Sequence, residues 1–244
     1  MARTGFFHHI GSFFLLAATV LLIVVSISAP VVNDIALLKV KLSNATDDHR
    51  SALTFGTFGY CVTTTAAGHD VCTGTHIGYN PVAEILRIDS NIDDDFSSAS
   101  TKAAKTLTKI MILHPIAAGV AFIAFLLALG AGVVGSFIGS LVSLVAFVIT
   151  AVVLITDFVL FSILRRHINN TSSIINNNSN SSTNAKYGVA LWLLLAAAIC
   201  SLIGTVVVFL TCCSARLHSS RNVSHHKVEP SYVAPARTRR GRFF

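Results

Sequence analysis

Charge is what this chain has least of. Only 12% of its 244 residues are Asp, Glu, Lys or Arg, where a soluble domain carries roughly 25%, and 53% are hydrophobic. That balance excludes an ordinary water-soluble fold. The shortage is also local, because no charged residue occurs in 10–33, 110–156 or 187–215. A hydrocarbon core about 30 Å thick takes roughly 20 helical residues, so the first and last runs hold one span each and the middle run holds two. Also lacking are a CxxC pair to seed a zinc site and the Gly/Pro-interrupted half-helices of a transporter. No nucleophile, base and orienting group form an active-site set. The chain therefore reads as non-enzymatic, with neither cofactor nor metal expected.

What is present divides into nine segments. They are an N-terminus (1–9), a first span (10–32), an extracellular domain (33–109), a second span (110–130), a cytoplasmic turn (131–136), a third span (137–161), an extracellular Asn-rich loop (162–186), a fourth span (187–212) and a basic tail (213–244). The alternative for the first span is a cleaved signal peptide, for which Ser26, Ile27 and Ser28 offer small residues. Its apolar run is longer than a usual signal core, which favours retention.

An even number of spans puts both termini on one side. Most of the net charge of +7 resides in the tail, where Arg216, Arg221, Lys227, Arg237, Arg239, Arg240 and Arg242 face a single Glu229. Such a segment beside a span suits anionic lipid headgroups better than nucleic acid, and the positive-inside rule places it in the cytoplasm. Arg165 and Arg166 weakly oppose that orientation. Sequons that begin at Asn44, Asn169, Asn170, Asn177 and Asn180 all fall in the segments placed outside, and are glycosylation candidates.

Five cysteines divide by compartment. Cys61 and Cys72 are the two outside, and an oxidising environment makes a disulfide the default, worth on the order of 3 kcal/mol for a loop of this size. His69 and His76 raise a metal site as the alternative, which the cysteine spacing does not favour. Aromatic and β-branched residues around Cys61 suit a strand in which Gly56 and Gly59 mark bulges or close approaches. Asn80 followed by Pro81 starts a short helix through Arg87, and Asp93, Asp94 and Asp95 read as a solvated turn. Cys212 and Cys213, at the cytoplasmic end of the fourth span, suit S-palmitoylation.

The spans hold one acidic residue. Asp157 would be costly facing lipid, so it faces the bundle or the headgroups. Counting from the outer ends of spans two and three puts His114 and Asp157 at similar depth. They are expected either to lock the two helices by a hydrogen bond or to leave Asp157 reaching outward to Arg165 or Arg166. Because an imidazole changes charge near neutral pH, the pair is also a candidate proton-sensitive joint. Ala117 with Ala121, Ala124 with Ala128, and Gly135 with Gly139 have the spacing that allows close helix packing. The fold class that follows is an all-α membrane protein, a four-helix bundle carrying a small disulfide-linked extracellular β-containing domain.

Several motifs resemble the fungal Sur/PalI family over about residues 5 to 215. They are Gly56-Thr57-Phe58-Gly59-Tyr60-Cys61 with Cys72 and Gly78-Tyr79, then Leu113-His114-Pro115-Ile116-Ala117-Ala118-Gly119. Asp157-Phe158-Val159-Leu160-Phe161 and Lys186-Tyr187-Gly188-Val189-Ala190-Leu191-Trp192 complete the set. The resemblance implies a plasma-membrane protein of four spans, similar in layout to claudins. The His-Pro-Ile-Ala-Ala stretch looks like the PalI branch, which implies an accessory role beside a seven-span receptor for ambient alkaline pH. In that pathway the signal leads to proteolytic activation of a transcription factor. The other branch implies an organiser of eisosome-type membrane domains that affects cell wall and endocytosis, with self-association as the partner relation.

Overall fold

The computed structural model describes residues 6–32, 34–41, 52–64, 69–88, 98–130, 133–175 and 183–222. Asn44, Asn177, Asn180, the acidic run at Asp93, Asp94 and Asp95, residues 131 and 132 of the turn and the tail from 223 lie outside the described residues; residues 133–136 of the expected turn are the first turn of a helix.

Among the described residues, four helical stretches are long and apolar enough to cross a membrane. They lie in α1 (Phe6–Ser26), in the stretch Thr101–Leu129 that ends with α4 (Leu113–Leu129), in α5 (Val133–Ile175) and in α6 (Val189–Asn222). Helix α1 packs against α4 and α6, and α5 packs against the same two. Small side chains set the spacing on α4, where Ala117, Ala121, Ala124 and Ala128 are all buried. Phe13, Val20, Phe122, Ile155, Trp192 and Leu210 point outward, as expected when the surrounding solvent is as apolar as the core. This is a multi-pass membrane protein.

Beside the bundle lies a five-stranded antiparallel sheet in the order β4-β3-β2-β1-β5. Its strands are β1 (Leu38–Lys41), β2 (Ala52–Phe55), β3 (Tyr60–Thr64), β4 (His69–Cys72) and β5 (Asn184–Tyr187). The single strand expected around Cys61 is two strands joined by a hairpin turn through Gly56 and Gly59. Cys61 and Cys72 are register partners on β3 and β4 and form the disulfide, with Cα atoms 4.0 Å apart. Helix α2 (Pro81–Ile88) begins where expected, with Asn80 Oδ1 accepting the Ala83 N–H at 3.3 Å, an N-cap bond. Helix α3 (Ser98–Ile110) leads into α4.

Beyond the third apolar run, the chain is helix and strand where a loop was expected. The 43 residues of α5 make a rod about 65 Å long, twice the hydrocarbon thickness. Leu160, Leu164 and Ile168 recur every four residues and are fully buried, so one apolar stripe continues past the span and packs beside β5. A single cluster runs from Phe55, Tyr60 and Tyr79 in the sheet region through Met111 and Leu164 to Ala117, Ala146 and Leu191 in the bundle. Sheet and bundle thus share one core.

Candidate functional site

Proline explains the geometry at the top of α4. Pro115 has no N–H, so the Met111 carbonyl four residues earlier lacks its normal helical donor. His114 takes that place twice, donating its backbone N–H at 3.1 Å and its ring Nδ1–H at 3.0 Å to Met111 O. A carbonyl can only accept, so Nδ1 carries a proton and Nε2 is left to face α5. Nε2 lies 3.0 Å from Asp157 Oδ2, with the two side chains 0% and 1% exposed. The expected lock between spans two and three is therefore formed, and Asp157 does not reach out to Arg165 or Arg166. A hydrogen bond at this distance needs a proton on one of the two atoms, and both side chains are shielded from solvent.

The sheet closes over this pair through the glycine-rich motif. Gly56 and Gly59 end the β2–β3 hairpin turn, with the Gly56 N–H bonded to Gly59 O at 2.9 Å. A Cβ on Gly56 would fall on the Ala29 backbone carbonyl, so only glycine permits the approach. Between them Thr57, which the sequence reading did not single out, caps α1. Its hydroxyl donates to Val25 O at 3.0 Å, and its N–H donates to Ser28 Oγ at 3.0 Å. The Ser28 hydroxyl then has Thr57 Oγ1 to donate to, at 2.9 Å. Orphan groups at a helix end require such partners; the only sequence signal was a hydroxyl between two motif glycines.

Tyr79 joins the hairpin to the helices. Gly78 has φ +76°, a left-handed turn that favours glycine and swings Tyr79 inward. The Tyr79 ring stacks on Phe55 with centroids 6.2 Å apart and planes 2° from parallel. Its hydroxyl donates to Gly56 O at 2.7 Å, and its carbonyl accepts from Thr108 Oγ1 at 2.8 Å on α3. Burial, and next the Asp157 carboxyl below, hold the Tyr79 phenol well above the usual tyrosine range.

The other family motifs meet at a second joint. Phe158, Ser162 and Arg165 line one face of α5 and hold Tyr187 of β5. Phe158 meets it edge-on at 6.1 Å, Ser162 Oγ lies 2.9 Å from its hydroxyl, and the Arg165 guanidinium sits 4.6 Å above its ring, a cation–π contact. Gly188 runs so close to Ala36 O that no Cβ would fit, and its N–H and that of Ala190 bond to Leu37 O and Ala36 O at 2.8 and 3.0 Å.

The remaining candidates are scattered. Asn169 is half-buried, its Oδ1 accepting the Ala185 N–H at 2.9 Å and its Nδ2 donating to Ala185 O at 3.4 Å. Asn170 is exposed on α5. His76 Nδ1 bonds Gly74 O at 2.8 Å, and no group of three metal-ligating side chains occurs among the described residues. Cys212 is buried and Cys213 exposed.

The profile of the SUR7/PalI family matches residues 7–204. The pH-response regulator protein palI/prr-5 of Neurospora crassa is 36% identical over 115 residues, 47% of this chain and 14% of the relative. The pH-response regulator protein palI/RIM9 of Emericella nidulans is 38% identical over 117 residues, 48% of this chain and 18% of the relative. The protein of the same name in Pyricularia oryzae is 32% identical over 117 residues, 48% of this chain and 14% of the relative. The matched stretch thus covers under a fifth of each relative's length. Because the family profile covers well over half of the chain and takes in the hairpin turn, His114 and Asp157 together, this chain belongs to the SUR7/PalI family.

Proposed function

We propose that this protein is a non-enzymatic accessory in the response to ambient alkaline pH. In this reading it lies in the plasma membrane with both termini cytoplasmic and assists a seven-span pH receptor. The observation that carries the reading is a solvent-free histidine–carboxylate contact in a chain whose relatives are named pH-response regulators. The pair joins α4 to α5 beneath the sheet, so its protonation bears on how the extracellular domain sits on the spans. On the sheet side the titratable group facing Asp157 is Tyr79, and the apolar runs 10–33 and 187–215 bring no charged side chain.

The test is a deletion strain and its parent shifted to alkaline medium, scored for growth and for processing of the pathway's transcription factor. Lost processing, restored by the intact gene, is the expected result. Normal processing overturns the proposal and makes the membrane-domain organiser the reading to pursue. The proton-sensitive part has its own test in Asp157→Asn, which keeps the shape and a hydrogen bond but removes the exchangeable carboxyl proton. A variant that reaches the surface and responds to pH like the wild type would eliminate that part alone.

A further inference from the structure

We infer that Tyr187 and Arg165 form an alkaline switch at the edge of the sheet, in which loss of the phenol proton gives a guanidinium on α5 its counter-ion and tightens the tie between α5 and β5. The inference deepens the alkaline-pH reading above, and rests on it for the side of the membrane that the sheet faces and for the cellular consequence.

The starting point is an unbalanced charge. Arg165 is half-buried, its Nε is buried without a hydrogen-bond partner, and no carboxylate pairs with it among the described residues. Asp157, two turns and about 12 Å back along the helix, is held by His114. Arg166 comes next in the chain and adds a second positive charge. A desolvated cation is normally paired. What the Arg165 guanidinium meets instead is the Tyr187 ring, 4.6 Å from its centroid. A neutral phenol offers that cation only its ring face, whereas a phenolate offers it a full negative charge.

Tyr187 is placed to ionise. It stands two residues before Val189, where the fourth apolar stretch begins, and it is half-buried, not sealed, so hydroxide from the medium can take its proton. Its hydroxyl is 2.9 Å from Ser162 Oγ. In the neutral form either oxygen can donate; a phenolate only accepts, so Ser162 then donates to it. That bond first, and after it the Arg165 and Arg166 guanidiniums, hold the phenol below the usual tyrosine range against the opposing effect of partial burial. No other element brings an acid against it among the described residues. Leu38 is its register partner on β1, and Lys39 and Lys186 pair on the other face of the sheet. His167, two residues on from Arg165, falls on the opposite side of α5, and the run 188–215 in α6 has no charged residue.

The consequence runs through β5, which pairs with β1 and leads by way of Gly188 into α6. An ion pair at Tyr187 therefore draws the outer part of α5 onto the strand that joins the sheet to the last span. The sign follows from the direction in which the phenol is moved. The added attachment appears as pH rises through the Tyr187 midpoint, and is complete above the unperturbed tyrosine value of about 10.

The experiment titrates the purified full chain in lipid nanodiscs by phenolate absorbance. Tyr187→Phe keeps the ring and loses only the hydroxyl, so the difference between it and the wild type isolates Tyr187. A midpoint below about 10 that rises in Arg165→Gln is the expected result. A midpoint at or above that value, or one indifferent to Arg165→Gln, overturns the switch. Hydrogen exchange at the β5 amides, corrected for its intrinsic pH dependence, should slow through the same midpoint in the wild type and not in Tyr187→Phe; equal behaviour of the two overturns the tightening. In cells, Tyr187→Phe present at the surface at the wild-type level should need a more alkaline medium to trigger processing of the transcription factor, and an unchanged threshold removes the regulatory role. Normal processing in the deletion strain would bring down the accessory reading alone, since titration and exchange decide the switch without it.

Discussion

His114 and Pro115 act as one device. The proline frees a carbonyl, the histidine ring takes it, and that bond decides which nitrogen faces Asp157. The energetic consequence is asymmetric, because removing one member of a buried pair strands the other. Asp157→Ala should cost about 3–5 kcal/mol, whereas Asp157→Asn, able to bond Nε2 through its amide, should cost well under half of that. Thermal unfolding of the detergent-solubilised chain measures both, and equal losses would refute the account. Glycines offer a second contrast at this scale. Gly56→Ala drives a methyl into the Ala29 backbone and should destabilise by about 1–3 kcal/mol. Gly119→Ala meets nothing within 4 Å and should stay within about 0.5 kcal/mol of the wild type.

Among the elements, β5 depends most on others. On one edge it pairs with β1; on the other, the Asn169 side-chain amide imitates a peptide unit and satisfies both the N–H and the carbonyl of Ala185. This blocks the centre of an edge that would otherwise invite another strand. Asn169→Leu removes both bonds, and hydrogen exchange at the Ala185 amide should accelerate about tenfold, the scale of one net hydrogen bond. Mass spectrometry of glycopeptides should find no sugar on Asn169, whose amide nitrogen is the atom a glycan would occupy. Nothing in the sequence announced β5. Asn184, Ala185, Lys186 and Tyr187 follow an Asn/Ser tract without strand-like alternation of apolar residues, and they form a strand because β1 offers a ladder. The membrane helices were legible because the cost of charge in hydrocarbon leaves long uncharged runs. The start of α2 was legible because a cap and a proline act locally. Asp157 and His114 could be matched because depth along two antiparallel helices can be counted. The Thr57 clasp and the outward extension of α5 depend on contacts between distant segments, though the spacing of Leu160, Leu164 and Ile168 carried a trace of the latter.

At the scale of the molecule, one continuous core runs from the aromatic stack of the sheet through the bundle. The two are therefore not independent modules joined by a linker, and a disturbance at the His114–Asp157 pair reaches Tyr79 and the hairpin through packed groups rather than through a hinge. Shortening the chain tests this unity. A version ending at residue 182 lacks β5 and α6, and its Cys61–Cys72 region should become sensitive to protease in intact cells while the full chain resists. Equal resistance would mean that the sheet stands without them. The strand order also sets a timetable for synthesis. Strands β1 to β4 emerge early, but their missing neighbour follows only after α4 and α5, and Ala36 and Leu37 wait for Gly188 and Ala190 to engage their carbonyls. The sheet is thus finished only when α6 has joined the bundle, so its completed surface is a sign that all four apolar helices have come together.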